Sequence, residues 1–411
     1  MANKSRKIKN GKVLHKGEVY IEDRGLYRYS YTDQKGKRCY KYSKDLSKLR
    51  EIEEQIKKDV IDGLDLYTRS KATINFFFNR YIATKTELRD STLTGYMYAY
   101  DRYVRNSFGK RKAVEVKYSD VLMFYKSILD SGHSISTVES VHELLHPTFT
   151  MAVRDEVLRG NPTEGVMAEL KKKTGAKRGV RRALTLEQER RFLEFIDCEE
   201  FSYWKPIMTV LFGTGGRIGE ITGLCWSNVN WEENCIVIDH SLSYRPSVKD
   251  DFRCGYTISE PKTEAGKRTI PLIDKVRDVL RQEWENREEY GYHSTVEIDG
   301  YKDFIFTNRF GGLRREQDIN RGIHRIVNKY NAKEEVLAAR EGRDPEYLPH
   351  FSCHVCRHTF CTRLCENETN IKVIQNVMGH ADIRTTMEIY AEVSEKKKQD
   401  VFKNLNMNDI I

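Results

Sequence analysis

No stretch of this chain reaches the roughly 18 consecutive apolar residues that a membrane-spanning helix needs. With 39% hydrophobic and 32% charged residues, the composition suits packed, water-facing domains and gives no reason to expect a membrane partner. Met1 to Lys12 is basic and polar without an apolar centre, so no secretory signal is expected there. The nine cysteines are odd in number and irregularly spaced, which argues against a disulfide framework and for a reduced, cytoplasmic setting. Internal repeats and low-complexity blocks are absent as well. At 411 residues the chain is too long for one ordinary core, so two or three domains are expected.

Charge is present but unevenly placed. Met1 to Ser70 holds 18 Lys+Arg against 11 Asp+Glu, a net of +7. Lys71 to Arg182 holds 20 against 12, a net of +8, and the remainder holds 32 against 38, a net of −6. The positive excess therefore lies in the first 182 residues. That is the footprint of a segment that grips nucleic acid, attached to a portion with another task. A solvated basic surface is the plainer alternative.

Local patterning divides the chain further. Leu26–Thr32 and Arg38–Ser43 are Tyr-rich alternating runs around Asp33–Gly36, a hairpin signature. A helix from Leu46 to Ile61 follows, with Leu46, Leu49, Ile52, Ile56 and Val60 at helical spacing. A small three-stranded sheet plus helix is predicted over 1–70, with Arg28, Lys37 and Arg38 as candidate DNA contacts. From 71 to 170 the pattern is helical, with Ile74–Thr84, Thr92–Val104, Tyr118–Leu129 and Ser136–Leu158 as the helices. Ser91, Ser119 and Ser136 are the expected caps. Residues 171–182, KKKTGAKRGVRR, read as an exposed basic linker. Its Lys171, Lys172, Lys173, Lys177, Arg178, Arg181 and Arg182 are well placed to cross a phosphate backbone. A mixed, mainly helical domain with a small antiparallel sheet is expected over 183–395, followed by a tail at 396–411. Thr185 should cap its first helix.

Four places in that last domain carry chemistry-bearing residues. Gly213 to Glu220, GTGGRIGE, looks like a dinucleotide fingerprint, but the glycine spacing is wrong and an apolar helix precedes it. What remains is Arg217 at a helix start, behind a glycine-rich break that lets backbone approach a ligand. Lys262 lies in a run read as a β-hairpin with its turn near Thr263–Gly266 and Lys267 and Arg268 on the return strand. Cys353 to Cys365 mixes cysteine and histidine, yet four ligands on one short helix cannot easily surround a zinc ion. The cysteines are better read as small apolar side chains, with His354 and Arg357 sharing a helical face. Finally His380 precedes Tyr390 by ten residues. Each has an ordinary reading when taken singly, and with 23 tyrosines any one of them is most often structural.

Together these four places resemble the tyrosine recombinase (lambda-type integrase) family. The matching motifs are Thr214–Glu220, Lys262, the HxxRHTF run His354–Phe360 and the pair His380/Tyr390, in the family's order over about Ala183 to Glu395. Gly216 departs from the side chain that many members carry before the first arginine. The helical segment and Tyr-rich sheet resemble the core-binding and arm-binding domains of integrases from conjugative transposons. The resemblance implies a multidomain, mostly α fold and an enzyme that cuts and rejoins DNA through a phosphotyrosine at Tyr390. It implies that Arg217, Arg357 and His380 hold the phosphate, with Glu220 in support. His354 would accept the tyrosine proton and Lys262 would protonate the leaving 5′-oxygen. Neither metal nor other cofactor is implied, since guanidiniums supply the charge. The implied partners are double-stranded DNA, three further copies in a tetramer whose contacts include the C-terminal tail, and accessory excisionase and DNA-bending proteins. Competing readings are a catalytically silent DNA-binding or architectural protein and a topoisomerase-like relaxing enzyme.

Overall fold

The computed structural model describes residues 6–7, 13–32, 38–61, 72–175, 182–261, 263–291 and 293–393. They divide into two compact units: residues up to Gly179 with Ser247–Phe252, and Val180–Pro246 with residues from Arg253 on. Among the described residues no helix is long and apolar enough to cross a membrane.

The first unit contains two separate apolar cores. Strands Glu18–Ile21, Leu26–Thr32 and Arg38–Ser43 form an antiparallel sheet in that order. The alternation of the tyrosines explains it: Tyr27 and Tyr29 turn inward onto Leu46, Leu49 and Ile56 of the helix Leu46–Ile61, while Tyr40 and Tyr42 remain exposed. The two Tyr-rich strands and this helix lie where the sequence pattern predicts them. The expected turn at Asp33–Gly36, with Lys37, lies outside the described residues.

The second core of this unit is all helical: Ile74–Ala83, Asp90–Tyr100, Tyr118–Asp130, Ile135–Arg154 and Val166–Thr174. Phe77, Phe78, Tyr100, Tyr125 and Phe149 fill it, and Phe78 stacks on Tyr100 with ring centroids 3.4 Å apart. The three serines expected as caps lie near the starts but inside their helices, each as the second helical residue: Ser91, Ser119 and Ser136. Ser134, not Ser136, caps the fourth helix by accepting from the Thr137 N–H. The helix Val166–Thr174 also runs through Lys171–Lys173, which were expected in an irregular linker. Lysines near a helix C-terminus are favoured by the backbone dipole, and the stop comes only at Gly175, in left-handed backbone at φ 64.

The second unit surrounds one large apolar core that includes Phe192, Phe201, Ile207, Leu211, Ile236, Val276, Ile323 and Phe351. Thr185 caps the helix Leu186–Phe195 with a capping box, as expected. A short sheet takes the order Arg268–Pro271, Cys235–Ile238, Val229–Asn230. This corrects the expected hairpin around Lys262. Strand Arg253–Ser259 pairs with Ser241–Ser247, whereas Arg268–Pro271 crosses to Cys235–Ile238, so the chain before and after Lys262 enters different sheets. Two long helices that the sequence reading did not place, Asp274–Tyr290 and Glu316–Glu341, complete the wall. The architecture is thus mainly α with small antiparallel sheets, as the sequence predicts.

Candidate active site

The glycine-rich break ends the helix Lys205–Thr214 at Gly215, whose φ is 62. A Cβ at this position would sit 2.3 Å from Phe360 Cδ1, so both the backbone conformation and the space require glycine. Two residues later Arg217 caps the short helix Ile218–Thr222. Its backbone N–H donates to Glu220 Oε2 at 2.8 Å, and its guanidinium donates to Glu220 Oε1 at 2.7 Å and to the Gly379 carbonyl at 2.8 Å. Arg217 stays 42% exposed at its side chain while Glu220 is only 4% exposed, so the carboxylate beneath orients a guanidinium that still faces outward.

Arg357 is brought to the same place by the helix Cys353–Asn367 and is 5% exposed. It donates to the Gly215 carbonyl at 2.7 Å and to the Met378 carbonyl at 2.5 Å. Arg268, at the start of its strand, donates to both Glu220 oxygens, at 2.7 and 3.2 Å, and to the Val377 carbonyl at 2.8 Å. Three consecutive carbonyls, Val377, Met378 and Gly379, therefore each accept from a different arginine. They lie at the C-terminal end of the helix Ile371–Met378, where unpaired carbonyls and the negative end of the helix dipole favour cations.

His380 follows directly and is 9% exposed. Its Nδ1 lies 2.9 Å from Thr386 Oγ1, and its carbonyl accepts from Gln375 Nε2 at 2.9 Å. With the threonine hydroxyl donating to Nδ1, the proton of the neutral ring sits on Nε2. Burial, reinforced by Arg357, Arg217 and Arg268, lowers His380 to about 4, so the ring is neutral near pH 7. Burial, with Arg217 next to it, lowers Arg357 to about 9, still charged at neutral pH. Burial alone would raise Glu220, but the hydrogen bonds and charge of Arg268, then Arg217, hold it below the ordinary carboxylate value.

The structure thus brings Arg217, Glu220, Arg357 and His380 together. Tyr390 lies within residues 383–393, which are helical. It is half-buried and packs with Phe360, Leu364 and Ile389 against Cys361, Cys365, Ile374, Met378 and Val393. His354 is exposed while Arg357 is buried, so the two do not share an environment despite their spacing. Lys262, Lys177, Arg178 and Arg181 lie outside the described residues, as do the tail residues from 394 on. In the first unit Arg28 lies over the Tyr40 ring at 5.1 Å, and Arg38 and Lys172 are exposed; Arg182, which belongs to the second unit, is exposed as well. Lys171 pairs with Glu139 at 2.6 Å and Lys173 with Glu169.

Cys353, Cys356, Cys361 and Cys365 are all buried, and burial raises Cys353 to about 12, which suits the small apolar role expected of them. Among the described residues the metal-ligating atoms close enough to share an ion belong to His15, Glu18 and Glu53. Those carboxylates already pair with Arg50 at 3.1 Å and Lys57 at 2.7 Å. Arg268, Gln375 and Thr386 were missed as site residues. For Arg268 a signal existed: it shares a strand face with buried Ile270, where an arginine needs a partner.

The phage integrase family profile matches residues 182–397, more than half of the chain. The chain belongs to the phage integrase family. Residues 2–60 match a second profile, the DNA binding domain of Tn916 integrase. The transposase from transposon Tn916 of Enterococcus faecalis is 29% identical over 418 residues, covering 98% of this chain and 97% of that protein. The Tn1549 transposon integrase, solved in complex with transposon right end DNA, superposes with a TM-score of 0.69 at 26% identity, over 80% of this chain and 99% of that one. A lambda integrase tetramer bound to a Holliday junction shares the fold at a TM-score of 0.50 and 17% identity, over 90% of this chain and 93% of that one. The protein is a tyrosine recombinase of the conjugative-transposon type.

Proposed function

We propose that this site-specific recombinase excises and integrates a mobile DNA element by attacking a phosphodiester with the Tyr390 hydroxyl. The phenol oxygen forms a bond to phosphorus and the 5′-oxygen leaves, giving a 3′-phosphotyrosine and a free 5′-hydroxyl. Attack by a 5′-hydroxyl from another strand reverses the step, so one hard substitution becomes two easier ones and the bond energy is retained. Charge accumulates on the nonbridging oxygens. The forked guanidiniums of Arg217 and Arg357, together with His380 Nε2–H, are the donors that meet it. Preorganised donors of this kind contribute about 3–4 kcal/mol each to the barrier. His354 takes the tyrosine proton and Lys262 protonates the leaving oxygen.

The observation that carries this reading is the convergence of Arg217 and Arg357 on the turn 378–380, which itself presents His380 and lies ten residues before a tyrosine of the same packed cluster. The positive first 182 residues supply affinity for double-stranded DNA, with Arg28, Lys37, Arg38 and the 171–182 segment on the backbone. The division into arm-binding (1–70), core-binding (71–170), linker (171–182) and catalytic (183–395) parts follows. Exchanging both strands of two duplexes needs four nucleophiles, so the working form is a homotetramer on DNA in the bacterial cytoplasm, linked through the tail at 396–411. Accessory excisionase and host DNA-bending proteins set its direction.

The test is incubation with nicked suicide duplexes from the flanks of its own gene, read on a denaturing gel. A DNA-linked band in the wild type, lost in Tyr390→Phe with DNA binding retained, is expected. Binding without any such band on a demonstrated cognate duplex would favour the silent DNA-binding protein instead.

A further inference from the structure

Glu220 is an unusual neighbour for a phosphate-binding arginine. A buried carboxylate that takes two hydrogen bonds from Arg217, at 2.8 and 2.7 Å, cancels the charge Arg217 is needed for. Arg268 alters that balance. Its side chain is 5% exposed against 4% for Glu220, and its two Nη atoms take the remaining lone pairs of both oxygens. Arg217, Glu220 and Arg268 together carry one net positive charge, and without Arg268 the remaining Arg217–Glu220 pair is neutral. Arg268 is also immobilised. It opens a strand registered on Ile238, and its Nε holds the Val377 carbonyl at 2.8 Å. The turn is fitted to it: a Cβ at position 379 would lie 2.9 Å from Arg268 Nη1 and 3.0 Å from the Ala265 carbonyl.

We infer that Arg268 is a positioning residue for strand cleavage: it neutralises Glu220, so that Arg217 keeps its charge for the phosphate, and it ties the Val377–His380 turn against Arg217 and Arg357. This rests on the Tyr390 reading above. Arg268 touches no reacting atom and acts through Glu220 and the turn. Charge neutralisation of a buried carboxylate is separable from packing, because a glutamine at position 220 removes the charge while leaving an acceptor for the Arg217 N–H.

The experiment uses the full chain on the nicked suicide duplex from its own flanks, at saturating protein, following the rate of covalent adduct formation. The variants are Arg268→Met, Arg268→Lys and the double Arg268→Met/Glu220→Gln, with band-shift affinity and thermal midpoint measured on each. Arg268→Met is expected to slow adduct formation about 100-fold, with affinity within about threefold. The double variant should regain about 10-fold of that rate, the coupling expected of groups acting through one another. A packing role alone gives no such rescue. Arg268→Lys keeps a cation beside Glu220, and with it the fold, but one ammonium cannot hold both carboxylate oxygens and the Val377 carbonyl, so about 10-fold slowing is expected. Arg268→Met cleaving within threefold of wild type would overturn the inference, as would a folded double variant no faster than the single. Should Arg268→Met fail to fold, wild-type cleavage by Arg268→Lys overturns it equally. A wild-type protein that forms no adduct overturns the nucleophile assignment itself, whereas a wild-type adduct with an unaffected Arg268→Met overturns this inference alone.

Discussion

The helical core of the first unit and the arginine-lined turn of the second are both buried, on different terms. In the first, the largest buried side chains are Phe77, Phe78, Tyr100, Tyr125 and Phe149. Each polar tip there meets a neutral partner, Tyr100 with Asn75 and Tyr125 with His142, both at 2.9 Å. In the second, Glu220, Arg268, Arg357 and His380 are buried side by side. A charge removed from water is costly and is tolerated only when paired and hydrogen-bonded. Here Glu220 and three successive carbonyls provide that pairing. The first arrangement gives stability without chemistry. The second fixes hydrogen-bond donors around a partly open site, which is what charge development at phosphorus requires.

Arg357→Ala should slow single-turnover adduct formation about 10²–10³-fold and also destabilise, because the Gly215 and Met378 carbonyls lose their donor. Its counterpart, Phe78→Ala, should lose about 3–5 kcal/mol in denaturant unfolding while the folded, DNA-bound protein cleaves at the wild-type rate. A cleavage defect in Phe78→Ala that survives saturation with DNA would break the contrast. Gly379→Ala forces a side chain into left-handed backbone at φ 62 and against Arg268. It should lower stability by about 1–3 kcal/mol and reduce cleavage by displacing His380.

The pH dependence touches both regions. His142 in the first unit is lowered to about 4 by burial, then by His146, and His380 to about 4 by burial, then by the arginines. An unfolded histidine titrates near ~6.5, so between these values the unfolded chain binds more protons. Stability from both groups is full above about pH 6.5 and is lost as pH falls towards 4. Denaturation midpoints measured from pH 8 to 4 should decline across that window, and His142→Phe should flatten the decline in part. The smallest effect is expected at Lys172: replacement by alanine should reduce the salt dependence of DNA binding by about one unit of slope and leave cleavage unchanged. Lys171→Ala should do less, since Glu139 already holds that lysine.

What could be read from the sequence follows range of interaction. The strands Leu26–Thr32 and Arg38–Ser43 and the helix Leu46–Ile61 are set by neighbours a few residues away, so alternation and spacing suffice. The candidate arginines, His380 and Tyr390 could be singled out because short motifs hold them. The course of the chain around Lys262 could not be read, because Arg268–Pro271 pairs with Cys235–Ile238, a partner thirty-odd residues earlier that no local turn announces. Arg268 escaped for the same reason: its partner Glu220 is 48 residues away. The helix Glu316–Glu341 is a different case, since Ile319, Ile323, Ile326 and Val327 stand at helical spacing and are buried. That spacing is local and is carried by the sequence itself.

On the proposed function, one tyrosine, carried beside this arginine-clasped turn, becomes bonded to DNA. Proteolysis of the adduct formed on a suicide duplex, followed by mass spectrometry of the nucleotide-bearing peptide, tests it most directly. A phosphonucleotide mass on Tyr390 is predicted. The same mass on any of the other 22 tyrosines, or on a serine, would contradict it.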